Sequence, residues 1–335
     1  MSGSLVISLD FELMWGVRDH RSVAEYGDAV LGGRAAIPAM LERFAARGIR
    51  ATWATVGLLF ARSRDEMLDH APTLRPAYAD PRLSPYPFLE RGLGASEADD
   101  PLHFGRSLLE RVAETPGQEI ATHTYSHFYC LEPGATPEAL AADLAAARAI
   151  AAATGMPAPR SIVFPRNQLG PAHVACAVAH GIDAVRGNPR ARLYRARAGA
   201  ATTLPLRALR LADGALPLVR GLDAPAPARG PDGAVDVAAS RFLRPATPGI
   251  AGTALYGRAH LARIRAEMTR AARRGTCYHL WWHPHNFGRH MAANLARLDA
   301  LLDTFAALRD DHGMQSRSMA DLAAAAAAVP AAPPV

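Results

Sequence analysis

Leu5-Val6-Ile7-Ser8-Leu9-Asp10-Phe11-Glu12 is the stretch on which the fold turns. Residues 5–9 form a short apolar run of the kind that makes a buried strand, and alternate positions along a strand share a face. Two acids interrupt that run at its carboxyl end, and an i, i+2 spacing puts both on one face if the strand persists. Outward from it, residues 34–47 predict a helix, with Ile37, Met40, Leu41 and Phe44 on one side and Gly48 as the stop. A second strand follows at 51–56. The rhythm continues with a helix at 105–114, a strand at 119–122, a helix at 136–154, a strand at 161–164, a helix at 171–180 and a strand at 182–185. After a gap come a helix at 257–274, a strand at 276–282, a helix at 291–309, a short strand at 314–316 and a helix at 319–328.

Short apolar runs alternating with helices mark a parallel α/β fold. About seven such units suit an irregular (β/α)7-type barrel better than an open sheet. The barrel is expected over 1–318, with 319–335 as a C-terminal helix and Ala/Pro tail. Two stretches leave the rhythm. Residues 72–101 are rich in proline and turn residues and read as an excursion. Residues 188–256, rich in Arg, Ala, Pro and Gly, read as a loosely structured insertion before the last barrel strand, with short strands near Leu216 and Val235.

Composition removes whole chemistries. The 335 residues include no lysine; all 37 basic residues are arginine, against 31 acids, for a formal net charge of +6. Pyridoxal-phosphate or aldolase Schiff bases, a Walker A loop and a kinase ATP site each require a lysine. The arginines are scattered among acids, without a basic cluster interleaved with aromatics, so no nucleic-acid partner is expected. In an Ala-, Gly- and Pro-rich chain, all-arginine usage matches GC-rich coding. Cys130, Cys176 and Cys277 are far apart and form no CxxC pair, which argues against a disulfide framework or a thiolate zinc knuckle. The start, which meets Asp10 after one short apolar run, lacks the pattern of a signal peptide, and no run of about 20 apolar residues is present to span a bilayer. A cytoplasmic location is the expectation; the oligomeric state is not legible.

In parallel α/β folds functional side chains gather at strand carboxyl ends. Besides Asp10 and Glu12, three such ends carry unusual residues. His123-Thr124-Tyr125-Ser126-His127 follows the strand at 119–122; two imidazoles at i, i+4 on a helical turn can converge on one ion, although the glutamate of a HExxH peptidase is missing. Taken alone, that spacing also describes ordinary surface or capping histidines. Phe164-Pro165-Arg166-Asn167-Gln168 offers an arginine fork able to hold a carboxylate. His279-Leu280-Trp281-Trp282-His283-Pro284-His285 ends the 276–282 strand with two tryptophans, an apolar wall against which a sugar can stack.

These four segments, in this order, resemble the NodB-homology polysaccharide deacetylases, carbohydrate esterase family 4. His123-Thr124-Tyr125-Ser126-His127 matches the family's H-[ST]-x-x-H metal motif residue for residue, and the likeness runs from Leu5 to Gly288 with 188–256 uncovered. Asp10-Phe11-Glu12 replaces the usual Asp-Asp-Gly, Pro165 precedes Arg166 where the family has the proline after it, and no counterpart of the Asp/Trp motif is found. The resemblance implies that Glu12, His123 and His127 bind Zn²⁺ or another divalent transition metal. It implies Asp10 as base, held by Arg166, and His283 as acid, with His285 as its alternative or neighbour. Tyr125, Trp281 and Trp282 would line the substrate pocket. The implied reaction is hydrolysis of an N-acyl group, acetyl above all, from an amino sugar or glycan precursor. Two alternatives stay open: a catalytically silent glycan-binding module, and a hydrolase of a non-sugar cyclic or linear amide.

Overall fold

A computed structural model describes residues 2–246 and 253–328. Strand β1, Ser4–Phe11, is buried along nearly its whole length. Its odd positions, Leu5, Ile7, Leu9 and Phe11, pack with Ile37, Met40 and Phe44 of helix α1 (Val23–Arg47), while Val6 belongs to a separate inner cluster. Along the chain follow β2 (Ala51–Thr55), the short helices α2 (Arg64–Asp69) and α3 (Tyr86–Arg91), and α4 (Arg106–Glu114). Next come β3 (Gln118–Thr122), α5 (Pro137–Ala153), β4 (Ser161–Ile162), α6 (Pro171–Ala179), β5 (Ala184–Val185) and α7 (Leu204–Ala215). The chain closes with β6 (Val235–Asp236), β7 (Arg241–Phe242), α8 (Ala254–Arg274), β8 (Cys277–Trp282), α9 (Met291–His312), β9 (Gln315–Ser316) and α10 (Met319–Ala327).

All named strand pairings are parallel, in the order β6-β5-β4-β3-β2-β1-β8-β7, with β9 beside the start of β1. The two ends of that order are pieces of one extended segment. The amides of Val235, Val237 and Ala239 donate to the carbonyls of Asp183, Val185 and Gly187; those of Ser240 and Leu243 then donate to His279 and Trp281. This split strand leaves β5 and joins β8, which curls the sheet into a barrel. Counting it once with β1 to β5 and β8 gives seven barrel strands among the described residues, the number the sequence rhythm predicts. The barrel interior is narrow and takes small residues: Val6, Ala54, Ala121 and Val235 pack with Met319, Leu322 and Ala323 of α10, which plugs the amino-terminal end. The tail beyond α10, 329–335, lies outside the described residues.

The described residues of 188–256 carry the expected strand near Val235 and more order than expected elsewhere. The stretch supplies α7 and both halves of the split strand, and Leu216 caps α7 rather than entering a strand. A buried charge network holds part of it. Arg241 pairs with Asp213 at 3.2 Å and Glu267 at 2.8 Å, and Arg263 meets the same two carboxylates at 3.2 and 3.1 Å. Buried carboxylates require such partners, so the network ties α7 to α8.

Helix α1 begins eleven residues before its predicted start at 34, with a capping box between Ser22 and Glu25. Glycines obscured that start, because they weaken helix propensity. They have a packing reason. A Cβ on Gly33 would lie 2.5 Å from the Cα of His285, so only glycine lets α1 approach the segment after β8. Gly33→Ala is expected to destabilise the protein by about 1–3 kcal/mol, as over-packing does, measured by urea unfolding; an unchanged midpoint would show that this approach is not needed.

Candidate metal centre

The even positions of β1 face the barrel interior, so Asp10 and the following Glu12 enter its carboxyl-end mouth together, each 3% exposed. Gly16 permits the Glu12 side chain to fold back, since a Cβ there would sit 2.0 Å from the carboxylate carbon. At the end of β3 the chain does not form the expected helical turn. Thr124 and His127 adopt φ of 64° and 60°, left-handed values that are unusual for a β-branched threonine. The five non-glycine residues with positive φ among those described, Leu13, Thr124, His127, Arg166 and Asn167, all follow β1, β3 or β4. Backbone strain of this kind concentrates where a site imposes geometry. Asp143 of α5 anchors the β3 loop: its carboxylate accepts from the amide of Tyr125 at 2.6 Å, the amide of Ser126 at 3.1 Å and the Ser126 hydroxyl. Burial pushes the Asp143 carboxyl up to about 6 against these hydrogen bonds.

The loop delivers both imidazoles to Glu12. Glu12 Oε2 lies 3.3 Å from His123 Nε2 and 3.0 Å from His127 Nε2. Burial alone would raise the Glu12 carboxyl, but His283, His123 and His127 around it bring it well below the usual range. His123 Nδ1 is 2.7 Å from the carbonyl of Val163, which only accepts, so this nitrogen carries the hydrogen. Nε2 is therefore the atom that His123 presents to Glu12, as a donor when the ring is protonated or as a lone pair for a metal when it is neutral. A cation between them would take the place of that hydrogen and satisfy both groups. The three donor atoms all fall within 4.8 Å of one another. Spacings near 3 Å are what vertices of a tetrahedron about an ion with bonds of about 2.0–2.1 Å require. One carboxylate and two imidazoles, with one His fixed through its other nitrogen, fit a divalent transition ion.

Asp10 has a different partner from the one expected. Arg186, the first residue after β5, meets it with both arms: Nη1 to Oδ1 at 2.6 Å and Nη2 to Oδ2 at 2.8 Å. The same guanidinium donates to Ser8 Oγ and Asn167 Oδ1 and lies over the Trp281 ring at 4.3 Å. Burial pushes the Asp10 carboxyl up, yet Arg186, His123 and His283 hold it below its ordinary value. Arg166 instead pairs with Asp19 and covers the Tyr129 ring at 4.3 Å. Its left-handed φ of 53° turns it toward the rim, away from Asp10.

Asp10, Glu12, His123, His127 and His283 converge. His283 Nε2 lies 3.4 Å from Glu12 Oε1 and 3.7 Å from Asp10 Oδ2, while its Nδ1 is 3.2 Å from Asn286 Oδ1. His285 stacks on His283 with centroids 5.0 Å apart and reaches 4.0 Å from Glu12; burial brings its imidazole down to about 3. Strand alternation separates the tryptophans. Trp281 shares the inner face with His279 and lines a cavity of about 940 Å³ at the mouth, together with His283 and Arg166. Trp282 faces outward, fully buried and stacked on Phe287, and Tyr125 is buried with its hydroxyl on the Met67 carbonyl. Neither lines that cavity, because each points into the packing between barrel and helices.

No protein-family model and no curated protein matches the chain. Solved structures do. A Mycobacterium smegmatis protein assigned to the polysaccharide deacetylases is 14% identical, with a TM-score of 0.59 over 100% of this chain and 96% of that one. A Pseudomonas aeruginosa PAO1 protein likewise assigned is 12% identical, with a TM-score of 0.53 over 96% and 89%. PuuE allantoinase is 13% identical, with a TM-score of 0.53 over 98% and 91%. These likenesses show a shared fold. Among the described residues no helix is long and apolar enough to cross a membrane.

Replacing Arg186 by Met leaves Asp10 buried without its counter-charge, which is expected to cost about 3–5 kcal/mol near neutral pH. Asp10 then titrates higher in the folded variant. The deficit therefore narrows as acid protonates it, and wild type loses its own Asp10 contribution only below the unfolded value of about 3.9. Arg166→Met, at a part-exposed pair, is expected to cost about 1 kcal/mol or less. Urea unfolding of both variants across pH checks this; a larger loss for Arg166→Met would reverse the assignment.

Proposed function

We propose that the chain is a divergent polysaccharide deacetylase of the NodB-homology type, a metal-dependent hydrolase that removes an N-acyl group, acetyl above all, from an amino sugar or glycan precursor. The observation that carries this reading is the convergence of Glu12 Oε2 with Nε2 of His123 and of His127, at 3.3 and 3.0 Å, beside Asp10 and His283. Glu12, His123 and His127 would hold Zn²⁺ or another divalent transition ion, which supplies Lewis acidity toward the acyl oxygen. Asp10 takes the proton from the water that attacks the acyl carbon. Arg186 keeps that carboxylate ionised and oriented, so it starts as a base. His283 stands on the other side of Glu12, oriented by Asn286, and gives a proton to the departing nitrogen. Trp281 offers the flat apolar wall on which a sugar ring stacks, and its ring is tilted against Phe242 at 4.7 Å.

A second reading keeps the site and changes the substrate. The allantoinase shares the fold about as closely as the Pseudomonas protein, which supports a non-sugar C–N bond as the alternative target. Purified protein is expected to carry about one divalent ion per chain, and His123→Ala is expected to lose it, as measured by elemental analysis. Acetate release from N-acetylated amino sugars is expected to fall by about 10²–10⁴ in Asp10→Asn, the usual contribution of a general base. Release from simple amides but from no sugar would select the second reading. Full activity in metal-free protein, or equal background in wild type and Asp10→Asn, would overturn both.

A further inference from the structure

The cavity at the barrel mouth has a chemistry that the metal centre does not explain. Eight arginines and three carboxylates are among its lining residues. Two of the carboxylates are ion-paired and the third is held by neutral donors. Asp19 pairs with Arg166 and His20, Asp80 with Arg82 at 2.8 Å, and Glu132 accepts from Gln168 at 2.7 Å and the amide of Gly199 at 2.6 Å. Arg195, Arg197, Arg207, Arg210 and Arg244 form no ion pair among the described residues. Three of them are positioned through backbone carbonyls instead: Arg207 Nε to Thr202 at 3.2 Å, Arg210 Nε to Leu193 at 2.9 Å, and Arg244 Nη2 to Arg210 at 3.0 Å. Such bonds fix the stems and leave guanidinium donors uncommitted. A cleft lined mostly by one sign of charge focuses its field and draws in anions.

We infer that this cavity binds a phosphate or diphosphate ester, and that the acylated amino sugar reaches the metal centre as a phosphorylated derivative. The inference rests on the deacylase reading for the reacting bond. The pocket's own layout carries the rest. Trp281 and His283 form its inner end, with His283 3.4 Å from Glu12, so a sugar stacked on Trp281 presents its acyl group there. The uncommitted arginines come from the stretch 195–210 and from the end of the split strand, at residue 244. Planar guanidinium forks match phosphate oxygens in pairs, which neutral glycans do not exploit. The size agrees: about 940 Å³ lies within the range of roughly 300–1,000 Å³ typical of small-molecule pockets. A sugar phosphate or a nucleotide-linked sugar presents the same chemistry to these forks.

Inorganic pyrophosphate, titrated by calorimetry into wild type and into an Arg197→Ala/Arg207→Ala variant, reads the pocket without turnover; both side chains are exposed, which protects folding. Saturable binding that weakens at least about tenfold in the variant and falls with salt is expected. No saturable binding, or equal binding in both proteins, overturns the inference. Acetate release is then compared for an N-acetylhexosamine, its 1-phosphate and its nucleoside-diphosphate conjugate. At least one phosphorylated form is expected to show a KM about tenfold or more below that of the free sugar, and the variant to raise that KM. The conjugate with the lower KM identifies the source of the phosphate. Equal KM values for free and phosphorylated sugars overturn the inference while leaving the deacylase reading intact. Pyrophosphate binding with no acetate from any of the three upholds the pocket and overturns the deacylase reading.

Discussion

Two carboxylates two residues apart, both inside the mouth of a barrel, set the terms for everything around them. An ionised group out of water needs a partner of opposite charge or it protonates. Asp10 has its partner in Arg186, and the bidentate contact at 2.6 and 2.8 Å accounts for its depressed titration despite burial. Glu12 has only imidazoles, two of whose Nε2 atoms stand 3.3 and 3.0 Å from Oε2. A divalent ion held by all three groups would balance this carboxylate, which has no arginine partner among the described residues. The metal reading therefore rests on the convergence of three ligand atoms as well as on a motif.

The fold supplies the means of bringing these groups together. Strand alternation aims Asp10 and Trp281 inward and sends Phe11 and Trp282 to the helices. Left-handed backbone recurs in the loops after β1, β3 and β4, and Asp143 fixes the β3 loop by its amides. Gly16 and Gly33 remove side chains where Glu12 and the His285 backbone must pass. The opposite end is sealed by α10 against a narrow interior of alanine and valine. Stability is thus concentrated at the amino-terminal end of the barrel, and strain at the carboxyl-terminal end, the division usual in barrel enzymes.

Much of this was legible in the sequence because it rests on period and contrast. Acids after a buried strand, paired histidines after another, and about seven strand–helix units stand out against the neutral background. Arg186 did not, although it is the first residue beyond a strand: one arginine among 37 carries no contrast, and its partner lies 176 positions away. Arg166, beside a proline in a recognisable motif, drew the role instead, and its positive φ turned it to Asp19. Alternation from His279 would have separated Trp281 from Trp282 without a structure. The first half of the split strand, near Val235, was legible, but its second half at Arg241–Phe242 had no such cue, since a piece of two residues has no period. Nor did α7, whose order depends on Asp213 meeting Arg241 and Arg263 across the fold.

The central claim is that Glu12, His123 and His127 form one ion-binding centre. X-ray absorption at the metal edge of the zinc- or cobalt-loaded protein tests it most directly. The account predicts a first shell of nitrogen and oxygen at about 2.0–2.1 Å with the outer-shell signature of two imidazoles. A shell containing sulfur, or one of oxygen alone without imidazole scattering, would contradict it.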